Sequence, residues 1–250
     1  MILCEPITGK KVDLISPLSE EMEVFPGVPF GRQDQLLSAA YWQWRCGIGE
    51  EENHDYVSRG GTLRDEVAFC LLGGYGIKLE ANEAFFQHLK GHGIFDTGVT
   101  ASEEDIFKLL SDTIPVVGRP QRYRFPRQKA GRLVAALNMI DQISDTTMSD
   151  LSFRAALNEI PGIGPKTASW ITRNWLGSDN VAILDVHVLR AGCFLGIFDD
   201  AAHLPRHYLK LESNFLQFAE AINVRASVLD AVMWLDMRMF GSRLVSQNGS

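Results

Sequence analysis

The sequence predicts a mostly α-helical fold, two helix clusters with a cleft between them. Three observations carry that expectation. Beyond residue 60, apolar residues recur at helical spacing through most of the chain. Capping residues and glycines punctuate these runs, and the alternation that marks strands is scarce. One Gly-rich turn, Pro161-Gly162-Ile163-Gly164, sits between two of the helical runs.

In chain order, residues 1–30 hold Pro6, Gly9, Pro17, Pro26, Gly27 and Pro29 and are expected to wrap a surface with at most short strands. Asp34 to Trp44 has helical spacing, and Cys46 to Gly61 reads as an acidic loop. Thr62 is placed to cap a helix bearing Leu63, Val67, Phe69, Leu71 and Leu72, ended by Gly73-Gly74. Leu79, Ala84, Phe85 and Leu89 mark a second helix, to Gly91. Ser102 or Thr100 caps a third, with Ile106, Leu109 and Leu110 inward and Pro115 as its stop. Lys129 to Ile143 is amphipathic and basic at its start. Leu151 to Glu159 ends at Pro161-Gly162. Pro165 suits the first turn of the next helix, where its missing N–H is not needed, and Gly177 closes it after Leu176. Asp185 stands at the N-cap of Val186 to Leu195, and a last helix spans about 225 to 240. The expected organisation is an N-terminal segment, 1–60, packing with C-terminal helices in 205–240. Between them lies a helical domain over 61–204 with the hairpin at about 151–176, and a frayed tail, 241–250, follows.

The 250 residues suffice for one large or two small domains, and 46% hydrophobic with 22% charged residues is a globular composition. No apolar run approaches the roughly 18 residues that span a bilayer, so no membrane is expected. Met1-Ile2-Leu3-Cys4-Glu5-Pro6 lacks a basic region followed by an apolar core, which makes the cytoplasm, at the nucleoid, the expected address. Cys4, Cys46, Cys70 and Cys193 are too scattered for zinc or an iron–sulfur centre, so no metal is expected. A net charge of −7 opposes nucleic-acid binding, but the local field decides it. Between Arg119 and Arg132 lie six cations and no acid: Arg119, Arg122, Arg124, Arg127, Lys129 and Arg132. Alone, such a run is a solvated helix face; beside a DNA-binding hairpin it is a phosphate contact.

Two glycines around one apolar residue make a tight turn whose backbone amides point outward and grip a phosphate at the start of the next helix. Gly162 and Gly164 supply that turn, with Ile163 plugging inward. Such contacts position DNA without reading its sequence. The lysine after the turn, Lys166, either pairs with phosphate or acts as a nucleophile. Nineteen residues on, apolar Val181-Ala182-Ile183-Leu184 leads into Asp185, returning a carboxylate to the neighbourhood of Lys166. A lysine attacks as the neutral amine, which a helix N-terminus and a dry pocket both favour.

With these residues the chain resembles the helix-hairpin-helix DNA glycosylase superfamily, in which an essential aspartate follows the hairpin by roughly twenty residues. Arg124-Phe125-Pro126-Arg127-Gln128-Lys129-Ala130 resembles a segment of its archaeal and bacterial 8-oxoguanine glycosylases. Phe69 to Ile77 is similar to the segment that inserts a wedge into DNA, and Leu229 to Trp234 to the closing helix. The resemblance implies a helix-hairpin-helix glycosylase fold. It also implies a bifunctional DNA glycosylase/AP lyase with Lys166 and Asp185 as catalytic residues. Gly162, Ile163, Gly164, His187, Arg124, Arg127 and Lys129 would contact DNA. Trp170, one turn after Lys166, and Trp234 would wall a base pocket, although Trp234 also fits a core position. Tyr75, flanked by glycines, is the candidate wedge, with Ile77 second; a plain core aromatic is the alternative. Where the animal 8-oxoguanine enzymes have cysteine, this chain has Trp170, so the pocket differs. The implied target is 8-oxoguanine first, with another modified base, such as a hypermodified phage base or an oxidised pyrimidine, as the alternative. A non-catalytic DNA-binding module is the reading from a different class. No cofactor is expected, unless a monovalent cation sits at the hairpin, and the partner is double-stranded DNA bound by a monomer.

Overall fold

The structure is a computed structural model that describes residues 18–52, 61–74, 76–143 and 145–244. Among them are ten helices and two short antiparallel hairpins. The first hairpin pairs β1 (Glu23–Phe25) with β2 (Val28–Pro29). Helix α1 (Ala39–Glu52) follows, and starts where the Ser38 hydroxyl accepts the Tyr41 amide at 3.0 Å. It runs on into the stretch expected as an acidic loop, as far as Glu52, because Ala39, Trp42 and Cys46 continue one buried face.

Thr62 caps α2 (Leu63–Leu72) in a reciprocal capping box with Asp65, and Gly73 ends it. Then come α3 (Leu79–Gly91) and α4 (Glu103–Ser111), the latter capped by Ser102. Pro115 does not stop a helix. It sits in β3 (Thr113–Val116), which pairs with β4 (Arg119–Arg122) in a hairpin the sequence reading missed. Only Ile114 and Val116 turn inward there, so the alternation is four residues long. After α5 (Pro126–Ile140) and α6 (Asp150–Asn158), the hairpin leads into α7 (Pro165–Leu176). Asp185 heads α8 (Val186–Leu195), and α9 (Tyr208–Ala221) and α10 (Ala226–Leu244) complete the order.

Two apolar cores organise these elements. Val67, Phe85, Leu89, Ile106, Leu133, Phe153, Leu157, Ile163 and Ile171 belong to one, built from α2 to α7. The other joins Val28 and Trp42 to Val188, Ala191, Phe215, Phe218, Leu229 and Met233, so residues 24–46 pack with α8, α9 and α10. The chain crosses between cores after Ile171 and before Ala182. Residues 182–202 therefore share a core with residues 24–46 and the helices α9 and α10, whereas the sequence reading grouped them with 61–204. No helix of the described residues is long and apolar enough to cross a membrane.

Candidate active site

The turn between α6 and α7 is held from inside by Ile163, which is buried in the first core, and by its amide donating to Ile160 O at 3.0 Å. Gly162 has φ 92°, a left-handed conformation open to glycine. A Cβ there would also meet the Arg132 side chain at 2.5 Å. Gly164 is different: a Cβ would touch nothing within 4 Å, so that side of the turn is open. It offers no side-chain cap to α7. The first amides of α7 thus keep their hydrogen-bonding capacity for an anion approaching from outside, which the helix dipole also attracts.

Lys166, Ser169, Trp170 and Arg173 fall three, four and seven residues apart and so share one face of α7. That face grades from open to sealed. Lys166 and Trp170 are half-buried, with Nζ 5.9 Å from the ring centroid, near the limit of a cation–π contact. Ser169 and Arg173 are buried. Against this sealed end lies the extended segment 181–184. Glu212 Oε1 accepts both the Ser169 hydroxyl and the Ala182 amide at 3.0 Å. Asp230 accepts Arg173 Nη1 on one oxygen and the Ile183 amide, at 2.7 Å, on the other. Leu184 and Asp185 follow, one and two residues beyond the amide that Asp230 holds. Asp185 Oδ1 caps α8, taking the His187 and Val188 amides at 2.8 and 3.1 Å. Among the described residues no hydrogen bond reaches its Oδ2. His187 is half-buried, and its Nδ1 is buried without a hydrogen-bond partner in the structure.

The basic run divides by role. Arg124 is exposed and donates to Gly76 O at 3.3 Å, and Arg127 is exposed, paired with Glu104 at 3.0 Å and stacked on Phe107. Lys129 departs from the sequence reading, because its amine is turned into the protein. It is 7% exposed, and its amine donates to Leu71 O and Gly73 O, satisfying carbonyls at the end of α2. Burial, with Arg132 nearby, pushes that amine down to about 8. Tyr123 joins it by donating to Leu72 O. The turn after α2 has Gly74 at φ 118° and Gly76 at φ 80°; Tyr75 itself lies outside the described residues, and Ile77 is half-buried against the first core. Trp234 is half-buried against the second core with Arg238 over its ring at 5.1 Å.

Arg173, Glu212 and Asp230 were missed in sequence. Their signal was a charge lying on an otherwise apolar helix face, as in Val228-Leu229-Asp230-Ala231-Val232.

The family described as 8-oxoguanine DNA glycosylase matches residues 53–224, more than half of the chain. A protein of Picrophilus torridus named 8-oxoguanine DNA glycosylase/AP lyase is 28% identical over 69% of this chain and 78% of its own length. A like-named protein of Metallosphaera sedula is 33% identical over 45% of this chain and 57% of its own. Among solved structures, the Methanocaldococcus jannaschii 8-oxoguanine glycosylase/lyase in complex with a 15-mer DNA containing 8-oxoguanine aligns over 78% of this chain and 86% of that one. The TM-score is 0.55, at 25% identity. The hairpin, the Lys166 face and the Asp185 cap all fall within the matched span, and the chain belongs to the 8-oxoguanine DNA glycosylase family.

Proposed function

We propose that this chain is a bifunctional DNA glycosylase and AP lyase that everts a modified nucleotide, 8-oxoguanine opposite cytosine foremost, from double-stranded DNA. One observation carries the reading. Lys166 and Trp170 stand open on the same face of α7 whose sealed end ties down the segment leading to Asp185.

C1′ is shielded inside a duplex, so the nucleotide must rotate out before it is attacked. The hairpin amides hold its phosphate backbone, the Trp170 ring stacks on the base, and Tyr75 fills the gap left behind. The neutral amine of Lys166 then bonds to C1′ as the N-glycosidic bond breaks; the base leaves with the bonding pair and takes up a proton. Oδ2 of Asp185 accepts the proton that the amine sheds and steadies positive charge building on the sugar. Opening of the C1′–O4′ bond gives a Schiff base. Loss of a C2′ proton and departure of the 3′-phosphate complete β-elimination, and water frees the lysine. The names that relatives carry support this substrate.

Borohydride trapping tests the proposal. On a panel of duplexes with one lesion each, the wild type is expected to form a covalent adduct with 8-oxoguanine DNA, and Lys166→Gln none. Tight duplex binding by the wild type with no adduct on any lesion would overturn it in favour of a phosphate clamp.

A further inference from the structure

We infer that the buried carboxylates Asp230 and Glu212 are positioning residues for base excision, two brackets that fix the Asp185 carboxylate against the Lys166 face of α7. The inference rests on the roles proposed above for Lys166 and Asp185.

Residues 181–184 belong to no helix or strand and are buried apart from the half-buried Ile183, so their backbone groups must find partners elsewhere. Three side chains supply them. Glu212 Oε1 takes the Ala182 amide and Asp230 Oδ2 the Ile183 amide, at 3.0 and 2.7 Å. The Tyr208 hydroxyl donates to Ala182 O at 2.6 Å and accepts the Leu184 amide at 3.3 Å. Neutral acceptors would satisfy those amides equally well. Burying two carboxylates instead carries a desolvation cost that only pairing offsets, and Glu212 and Asp230 are 4% and 2% exposed.

What the carboxylates add is a second hand. Asp230 holds Arg173, two turns beyond Lys166 on α7, and Glu212 holds Ser169 on α7 and Arg154 on α6. Each bracket therefore spans from the nucleophile's helix to a backbone amide two or three residues before Asp185. An extended chain advances about 3.3–3.6 Å per residue, so little slack separates bracket from catalytic acid. Arg173 is itself locked. Its Nε and Nη2 both donate to Asn174 Oδ1 at 3.0 Å, and Asn174 Nδ2 donates to Glu66 Oε1 on α2 at 2.9 Å. A continuous polar line thus runs from α2 through α7 to α10 and the Asp185 segment.

A double-mutant cycle on single-turnover excision of 8-oxoguanine tests this. Asp230→Asn keeps shape and an acceptor for Ile183 but removes the charge that holds Arg173. The rate per active molecule is expected to fall about tenfold to a hundredfold, as misplacement of a reacting group costs, while affinity for an abasic-analogue duplex stays within about twofold. In an Asp185→Asn background the same substitution is expected to change the rate little, because the residue it positions is gone. Active molecules are counted by the borohydride adduct at completion. An equal fall in both backgrounds, or a loss of active fraction with the rate per active molecule intact, would overturn the inference and leave a purely structural role. Glu212→Gln enters the same cycle and decides in the same way if Asp230→Asn does not fold. No excision by the wild type would overturn the functional reading instead; full excision by Asp230→Asn beside an active wild type would overturn this inference alone.

Discussion

In the proposed mechanism Asp185 carries two duties on one carboxylate, and they separate by atom. Oδ1 caps α8, and Oδ2, which no hydrogen bond reaches among the described residues, would take the amine's proton. Asparagine caps a helix about as well as aspartate, so Asp185→Asn is expected to unfold within about 1 kcal/mol of the wild type. Excision by this variant should slow by about two orders of magnitude or more, since it cannot accept the amine's proton. Urea titration and single-turnover excision check the two halves; wild-type excision rates would remove Asp185 from the mechanism. The places of Gly162, Lys166 and Asp185 were legible in sequence because they are local, set by a turn, a first helical turn and a cap. Lys129 was misread by counting charge along the chain. Its spacing told otherwise, since Lys129, Leu133, Ala136, Leu137 and Ile140 follow one helical face, and all five are buried. Glu212 and Asp230 were legible only as oddities, because their partners lie on other elements 30 to 58 residues away.

At the scale of elements, the same Lys129 explains how α2 ends. A helix terminus leaves carbonyls without partners, and here Lys129 and Tyr123, from the segment that opens α5, satisfy Leu71, Leu72 and Gly73. This grip fixes the turn that precedes Ile77. Its energetics depend on pH. The amine releases its proton near 8 when folded and near 10.5 when unfolded, so below 8 both states are protonated and the folded one bears the full cost of burying charge. Between 8 and 10.5 only the unfolded state holds the proton, and stability rises with pH. Lys129→Met has no such group. The stability of the wild type relative to Lys129→Met is therefore expected to grow by about 2 to 3 kcal/mol between pH 7 and pH 10. Urea unfolding of both proteins at both pH values measures it, and a constant difference would show that the amine does not titrate in that window. The β3–β4 hairpin escaped the sequence reading for a related reason. Pro115 and Pro120 argue against strands, and its turn puts the β-branched Val117 at φ 48° with Gly118 at φ 72°, a conformation asparagine-glycine would have advertised.

For the molecule as a whole, a net charge of −7 has to coexist with a polyanionic partner. Segregation of charge makes that workable, because binding strength and its salt dependence follow the cations that meet phosphate rather than the total. Sequence showed where those cations cluster, and the structure shows which remain available. Lys129 is inside, and Arg127 is engaged by Glu104 and Phe107. Arg119 and Arg124 are exposed, with no carboxylate within salt-bridge distance among the described residues. Arg124 lies against the turn after α2 through Gly76 O, and Arg119 opens the strand that leads to it. These two belong to the DNA face if the hairpin, the turn after α2 and the basic run form one surface. Each phosphate contact contributes about 0.9 to the slope of log affinity against log salt. Arg119→Gln with Arg124→Gln is then expected to flatten that slope by nearly 2 and to weaken binding most at low salt. Arg127→Gln should change the slope less, since Glu104 and Phe107 already engage its guanidinium. Duplex binding measured at several salt concentrations distinguishes them. Equal slopes in all three proteins would mean that Arg119 and Arg124 do not meet the phosphates of the DNA.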